Sequence, residues 1–355
     1  MNLFFCGDIM PGGVLPYQDH YITLELLNYL HSFDFRIGTL EAAIGTNIPY
    51  DPIKMAGRQN IVYARNEDFF RVKEMGFDVV SLANNHVFDL GKEGLYNTIK
   101  MLKDNNIQYC GAGMNSEEAS RPIVIEKDNI KTAIFAYCKH DEGHWKTIPV
   151  ATNNNAGVNP LDMDKVINDI QNARKLYDHI IIMPHWGREY TSLPSDLCID
   201  MAKRMVDVGA SAVLGSHAHQ IQPSFYYKKG YICFSMGNFL FPDFYMQPLR
   251  PIWYPNITID LSQIKSVCDY PFPIEEPMKR VWSEFSRQGV TISLSLSRNR
   301  INVTKKNVRL SKSNILDFTN LDKALQHELN KSRIMMRCRL FNLFVRCINM
   351  ITNRN

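Results

Sequence analysis

The chain has no C-x-x-C pair, no low-complexity tract, no internal repeat and no uninterrupted apolar run long enough to cross a membrane. Each absence removes a class of function. The eight cysteines (6, 110, 138, 198, 233, 268, 338 and 347) are scattered, mostly in apolar strand-like or helix-like runs. That pattern fits reduced, buried side chains better than a disulfide framework or a zinc cluster. The opening run Leu3-Phe4-Phe5-Cys6 is cut by Gly7-Asp8 and has no basic stretch before it, so no signal peptide or N-terminal anchor is expected and the cytoplasm is the expected compartment. Near the C-terminus, residues 334–351 are apolar but broken by Arg337, Arg339 and Arg346, which argues against a spanning helix. Charge of one sign is also scarce: 40 basic and 36 acidic residues leave +4, too little to expect nucleic acid as a partner. The small basic excess gathers toward the C-terminus.

What is present is an α/β pattern. A length of 355 residues with 45% hydrophobic content suffices for one large α/β domain with additions, or for two domains. Short apolar runs predict strands at Leu3–Cys6, Phe35–Leu40, Ile61–Ala64, Asp78–Ala83, Ile107–Cys110, Ile123–Ile125, Lys131–Cys138, His179–Met183, Ala212–Leu214 and Tyr231–Ser235. Helical spacing lies between them at Ile22–His31, Glu67–Met75, Lys92–Lys103, Leu161–Tyr177 and Ser195–Val208, with a Pro-rich excursion at Pro49–Arg58. Beyond Pro242 the pattern changes to alternating strands, Asn256–Leu261, Val290–Ser295 and Ile301–Val308, read as antiparallel additions to the sheet system. Residues Leu321–Ile351 then read as a basic, amphipathic helical tail. The expected division is residues 1–245 as the main domain, 246–315 as β additions to it and 316–355 as the tail.

Six strand ends carry chemistry: Asp8, Glu41, Asn85-His86, His185, and His217 with His219. Loops at the carboxyl ends of strands in open α/β sheets are where ligands bind. A mixed carboxylate, Asn and His set delivered to one rim suits two divalent cations, with Mn, Fe and Zn all compatible. Asn85-His86 falls on a turn between strand and helix, where an Asn carbonyl can ligate a hard cation and a His can hold or donate a proton. The loop Lys139-His140-Asp141-Glu142-Gly143-His144-Trp145 is a second polar candidate, equally readable as solvated surface.

As a set, Gly7-Asp8-Ile9-Met10, Thr39-Leu40-Glu41, Asn84-Asn85-His86 with Asp89 and Gly91, His185-Trp186-Gly187-Arg188-Glu189-Tyr190, His217-Ala218-His219 and Gly237-Asn238-Phe239 resemble the bacterial capsule synthesis protein family, the CapA and PgsA-like proteins of poly-γ-glutamate synthesis. The resemblance runs from about Leu3 to Phe241. It implies a calcineurin-like metallophosphoesterase fold, a two-sheet sandwich flanked by helices. It also implies a metal-dependent hydrolase of phosphoester, or less readily amide, bonds in capsule, poly-γ-glutamate or exopolysaccharide synthesis. By that resemblance Asp8 binds one metal, Glu41 bridges both, Asn85, His185 and His217 bind the second, and His219 returns to the first. His86, beside Asn85, is the acid at the leaving oxygen, and Arg188, Asn238, Asn84 and Glu189 are candidates for contact with an anionic substrate.

The sequence departs from the phosphoesterase pattern in three places. Met10 stands where a ligating His is usual, Glu41 where an Asp is usual, and Ser216 where the capsule family often has another His. A non-catalytic alternative follows, in which the cleft binds an anionic polymer as part of a capsule-assembly machinery. The tail, with Leu340, Phe341, Leu343, Phe344, Val345 and Ile348 among arginines, is a candidate for peripheral contact with a membrane surface or partner protein.

Overall fold

A computed structural model describes residues 1–48, 60–139, 148–247, 250–256 and 277–336. The Pro-rich excursion, the His140–Trp145 part of the second polar loop, nearly all of the proposed Asn256–Leu261 strand and the tail beyond residue 336 lie outside them.

Two sheets pack face to face. The first runs in the order Leu316–Phe318, Arg300–Leu310, Gln288–Ser297, Asn2–Ile9, Phe35–Leu40, Val79–Ser81, Gln108–Cys110, and Asn238–Leu240 also pairs with Asn2–Ile9. The second runs Ser224–Tyr227, Gly230–Cys233, Ala212–Leu214, His179–His185, Ile130–Cys138, Ile123–Lys127. Each has a parallel centre, and antiparallel strands flank both. The Gln288–Ser297 and Arg300–Leu310 hairpin joins the first sheet by antiparallel pairing with the first strand.

The central strands read as unbroken apolar runs because both of their faces are covered. In Ile130–Cys138, Ile134, Ala136 and Cys138 face the core between the sheets. Ala133, Phe135 and Tyr137 face the outer helices. The same period-two alternation sends Ile181 and Met183 inward and Ile180, Ile182 and Trp186 outward. The helices on that outer face, Met163–Ala173 and Asp196–Val208, start at Asp162 and Ser195, whose side chains accept backbone N–H groups of the first turn.

Two strands run further than their apolar residues suggest, and both extensions bear on the site. The first strand continues through Gly7 and Asp8 to Ile9 and does not end at Cys6. Its register shifts between Phe5 and Asp8, so past that irregularity Asp8 pairs with both Thr39 and Asn238. Glycine is required there: a Cβ at position 7 would stand 1.8 Å from the Gly237 carbonyl oxygen. Likewise Pro184 and His185 belong to the His179–His185 strand. Proline is tolerated because its carbonyl still accepts the Ser216 N–H, at 3.1 Å.

Further differences are local. Residues 66–74 form a 3-10 turn followed by a short helix, where one continuous helix is expected. A small sheet of Phe244–Met246, Ile252–Trp253 and Met278–Arg280 has no clear signal in the sequence. Helix 323–336 buries Leu325 and Leu329 in the main core. Among the described residues no helix is long and apolar enough to cross a membrane.

Candidate metal centre

Asp8 and Glu41 stand at the ends of neighbouring strands of the first sheet and are fully buried. Opposite them, His185 closes its strand of the second sheet, and His217 and His219 follow Ala212–Leu214. Parity aims His185 between the sheets. The next residue, Trp186, points outward and is locked by its Nε1–H to the Phe234 carbonyl at 2.9 Å. Burying an indole contributes on the order of 4–6 kcal/mol, so Trp186 fixes the strand end that carries His185.

Five of these side chains form two overlapping groups. Glu41, His185 and His217 offer ligand atoms within 4.8 Å of one another, and so do Asp8, Glu41 and His219. Glu41 belongs to both. Its Oε1 lies 3.5 Å from His185 Nε2 and 3.7 Å from His219 Nε2. Asn85 Oδ1 sits 2.7 Å from His185 Nε2, which is also 3.1 Å from His217 Nδ1. Backbone geometry at the histidine loop is unusual: His217 and His219 have φ of 88° and 51°. Left-handed conformations at non-glycine residues cost on the order of 1–3 kcal/mol and mark positions held for a purpose. The His217 N–H helps to hold the loop by donating to Asp8 Oδ2 at 3.2 Å.

Electrostatically the cluster is costly on its own. Burial, with the Glu41 charge beside it, holds the Asp8 carboxyl well above the usual range, and burial also raises Glu41. His185 is pushed well down, mainly by burial and then by His219 and His86. His219 moves up: burial opposes its charge, but the Glu41 and Asp8 carboxylates outweigh that. Asp8 Oδ1 and both Glu41 oxygens are buried without a hydrogen-bond partner. Orphaned buried carboxylate oxygens facing imidazole nitrogens are what a cation-binding set looks like without its cation, so these residues fit divalent metal.

The outer partners orient the inner ones. Ser216 Oγ lies 2.8 Å from His185 Nδ1, leaving Nε2 to face Glu41, and Thr39 Oγ1–H reaches Ser216 Oγ at 3.4 Å. Asn238 Oδ1 sits 2.8 Å from His219 Nδ1, while its amide donates to the Ser286 carbonyl. Asn84 is buried, donating to the Leu40 carbonyl and accepting the His86 N–H, which ties two strand ends together. His86 Nδ1 pairs with Asp89 Oδ2 at 2.6 Å, and that carboxylate also accepts the Val62 N–H. Arg188 and Glu189 are exposed, and the Glu189 charge is felt at Glu41, His185 and His219. Met10 is buried in a separate apolar cluster, its Sδ accepting the Gly12 N–H at 3.2 Å, and supplies nothing to the cluster of ligands.

Sequence reasoning treated Ser216 only as a missing histidine and did not single out Tyr190 or Trp282. The Tyr190 and Trp282 rings flank His219 at 5.9 Å and 5.0 Å. Trp282 carries no local signal, since it reaches the site from a segment 63 residues further along the chain than His219 (282 minus 219).

A family model described as bacterial capsule synthesis protein PGA_cap matches residues 2–243. The capsule biosynthesis protein CapA of Bacillus anthracis is 29% identical over 68% of this chain, and the PGA biosynthesis protein CapA of Bacillus subtilis is 31% identical over 68%. The matched stretch spans 60% and 63% of those relatives' own lengths. A probable polyglutamine synthesis accessory protein of Mycobacterium tuberculosis is 27% identical over 45% of this chain and 44% of its own. Among solved structures, the calcineurin-like phosphoesterase YfkN of Bacillus subtilis aligns with 94% of this chain and 96% of its own at 11% identity and TM-score 0.44.

Proposed function

This chain belongs to the bacterial capsule synthesis protein family, and from that premise we propose that it is a metal-dependent hydrolase of the phosphoesterase type serving capsule, poly-γ-glutamate or exopolysaccharide synthesis. The observation that carries the proposal is the pair of ligand groups sharing Glu41, with Asp8 Oδ1 and both Glu41 oxygens buried and unpartnered. Asp8, Glu41 and His219 would hold one divalent ion, and Glu41, His185, His217 and Asn85 the other. When bound, such ions supply Lewis-acid polarisation of the scissile group and an activated water.

The chain's own residues have separate tasks. Ser216 and Asn238 hold the His185 and His219 rings so that each turns its Nε2 toward Glu41. His86, paired through Nδ1 with Asp89, keeps Nε2 to donate a proton to the leaving oxygen. Arg188 and Glu189 stand at the exposed rim, where an anionic substrate would enter.

The test is a turnover screen of Mn²⁺-loaded protein across phosphomonoesters, phosphodiesters and γ-glutamyl peptides. Turnover in one class that disappears with His86→Gln supports the hydrolase. Silence across all three removes it and favours the second reading, a polymer-binding or assembly component. That reading draws on Met10, which leaves the Asp8 group with no ligand at that position, and on the relatives named as accessory proteins.

A further inference from the structure

The Asp8 group of candidate ligands is the smaller of the two. It consists of Asp8, Glu41 and His219, whereas Asn85 adds a further oxygen beside His185 in the other group. With fewer donors, the fit of a cation depends more heavily on where the His219 ring points. That ring is set by residues 282–288, which lie beyond the stretch 2–243 matched by the family model.

Two contacts reach His219 from this segment. The Trp282 ring packs against the imidazole with centroids 5.0 Å apart, and Phe241 meets the imidazole edge-on at 5.3 Å. The Ser286 carbonyl acts at one remove. A carbonyl can only accept, so at 3.0 Å it takes the Asn238 side-chain N–H and turns the Asn238 oxygen toward His219 Nδ1, 2.8 Å away. That oxygen is also an acceptor, so His219 Nδ1 donates to it. Nε2 is left facing Glu41 Oε1 at 3.7 Å, with its lone pair available to a cation.

The segment itself is fastened to one carboxylate. Asp243 and Arg287 form a buried ion pair, with Arg287 Nη2 at 2.6 Å and 2.8 Å from the two Asp243 oxygens. Asp243 Oδ1 also accepts the Trp282 backbone N–H at 3.1 Å, and the indole N–H donates to the Pro242 carbonyl at 3.0 Å. Between these ends the chain turns on Ser283, whose Oγ accepts the Ser286 N–H at 3.2 Å and whose carbonyl accepts the Arg287 N–H at 3.0 Å. A buried charge pair with its hydrogen bonds completed in this way holds its geometry tightly.

We propose that residues 282–288 are a clasp, closed on Asp243, through which Trp282 and Asn238 act as positioning residues for the ion of the Asp8, Glu41 and His219 group. The Glu41, His185 and His217 group does not depend on them. This rests on the metal-dependent hydrolase reading above and deepens it, because the two ions then have separate supports and one of them can be removed alone.

Metal analysis and electron paramagnetic resonance of the full chain, loaded with Mn²⁺ and desalted, test it. Wild type retains two equivalents and gives the exchange-coupled spectrum of a manganese pair. Trp282→Ala and Asn238→Leu each keep one equivalent, with the hyperfine-split spectrum of an isolated ion. Competition with a fluorescent chelator shows the other ion bound about 10–100-fold more weakly. Trp282→Phe, which keeps a ring against His219, restores the coupled pair. The retained ion reports that the fold and the second group are intact, and Asn238→Leu, similar in shape to the native side chain, gives the same reading without opening the cavity that Trp282→Ala leaves. Two equivalents at unchanged affinity in both variants overturn the proposal, as does loss of both ions together from variants whose circular dichroism matches wild type; in either case the wild-type pair leaves the metal centre standing. No retained metal in wild type contradicts the hydrolase reading and this proposal with it.

Discussion

Asn85 Oδ1 and His185 Nε2 meet at 2.7 Å, and they arrive from opposite sheets. Neither sheet alone contains the site, so a cation bound there links the two layers. Mn²⁺ at about 100 times its Kd is expected to raise the unfolding free energy by about 2.7 kcal/mol. Urea unfolding with and without Mn²⁺ checks this, and His217→Ala combined with His219→Ala should erase the difference. An unchanged midpoint in wild type would contradict it.

Removing one buried charge should stabilise the metal-free protein. Asp8 and Glu41 both have folded-state values above their unfolded ones, because burial penalises the charge. Such groups contribute stability that is fully present below the unfolded value, about 4, and lost as pH rises through the raised folded value. Asp8→Asn should therefore match wild type near pH 4 and exceed it at pH 7 by about 1–3 kcal/mol, measured in EDTA. The same variant should gain less from Mn²⁺ than wild type, because only the Glu41, His185 and His217 group is left whole. A metal-free wild type that outlasts Asp8→Asn at pH 7 would show that the carboxylate is satisfied by other means.

Ser216 lies beside the histidine loop, and its hydroxyl at 2.8 Å from His185 Nδ1 gives it an orienting task. Ser216→Ala is expected to weaken Mn²⁺ binding about 10–100-fold, as losses of outer partners of metal-bound histidines do. Ser216→Thr, which keeps the hydroxyl, should stay close to wild type. Competition with a fluorescent chelator measures both.

The His86 and Asp89 pair predicts a separation of binding from chemistry. His86→Gln should lower kcat about 10²–10⁴-fold on a substrate with a poor leaving group while metal content stays at the wild-type level. Asp89→Asn should also lower kcat, because it disturbs the tautomer of the imidazole. Loss of metal in either variant would move His86 from acid to ligand.

Much of the sheet system is visible in the sequence because the central strands are apolar on both faces, and runs such as Ile180-Ile181-Ile182 have few other uses. The candidate ligands were visible for a related reason: polar residues placed directly after such runs are conspicuous. What stayed hidden depends on pairing across the chain. The strand through Asp8 continues only because Thr39 and Asn238 flank it, and Gly7 by itself reads as a turn. The roles of Ser216 and Trp282 come from a hydroxyl and a ring brought to His185 and His219 by tertiary packing. Asn84, read as a substrate contact, spends its amide on Leu40 and His86, a pairing that no local pattern encodes.

The most direct measurement is metal content by plasma mass spectrometry after Mn²⁺ loading and desalting, with wild type beside the His217→Ala, His219→Ala double variant. Two equivalents in wild type, lost in the variant, are the predicted result. No retained metal in wild type would contradict the dinuclear centre.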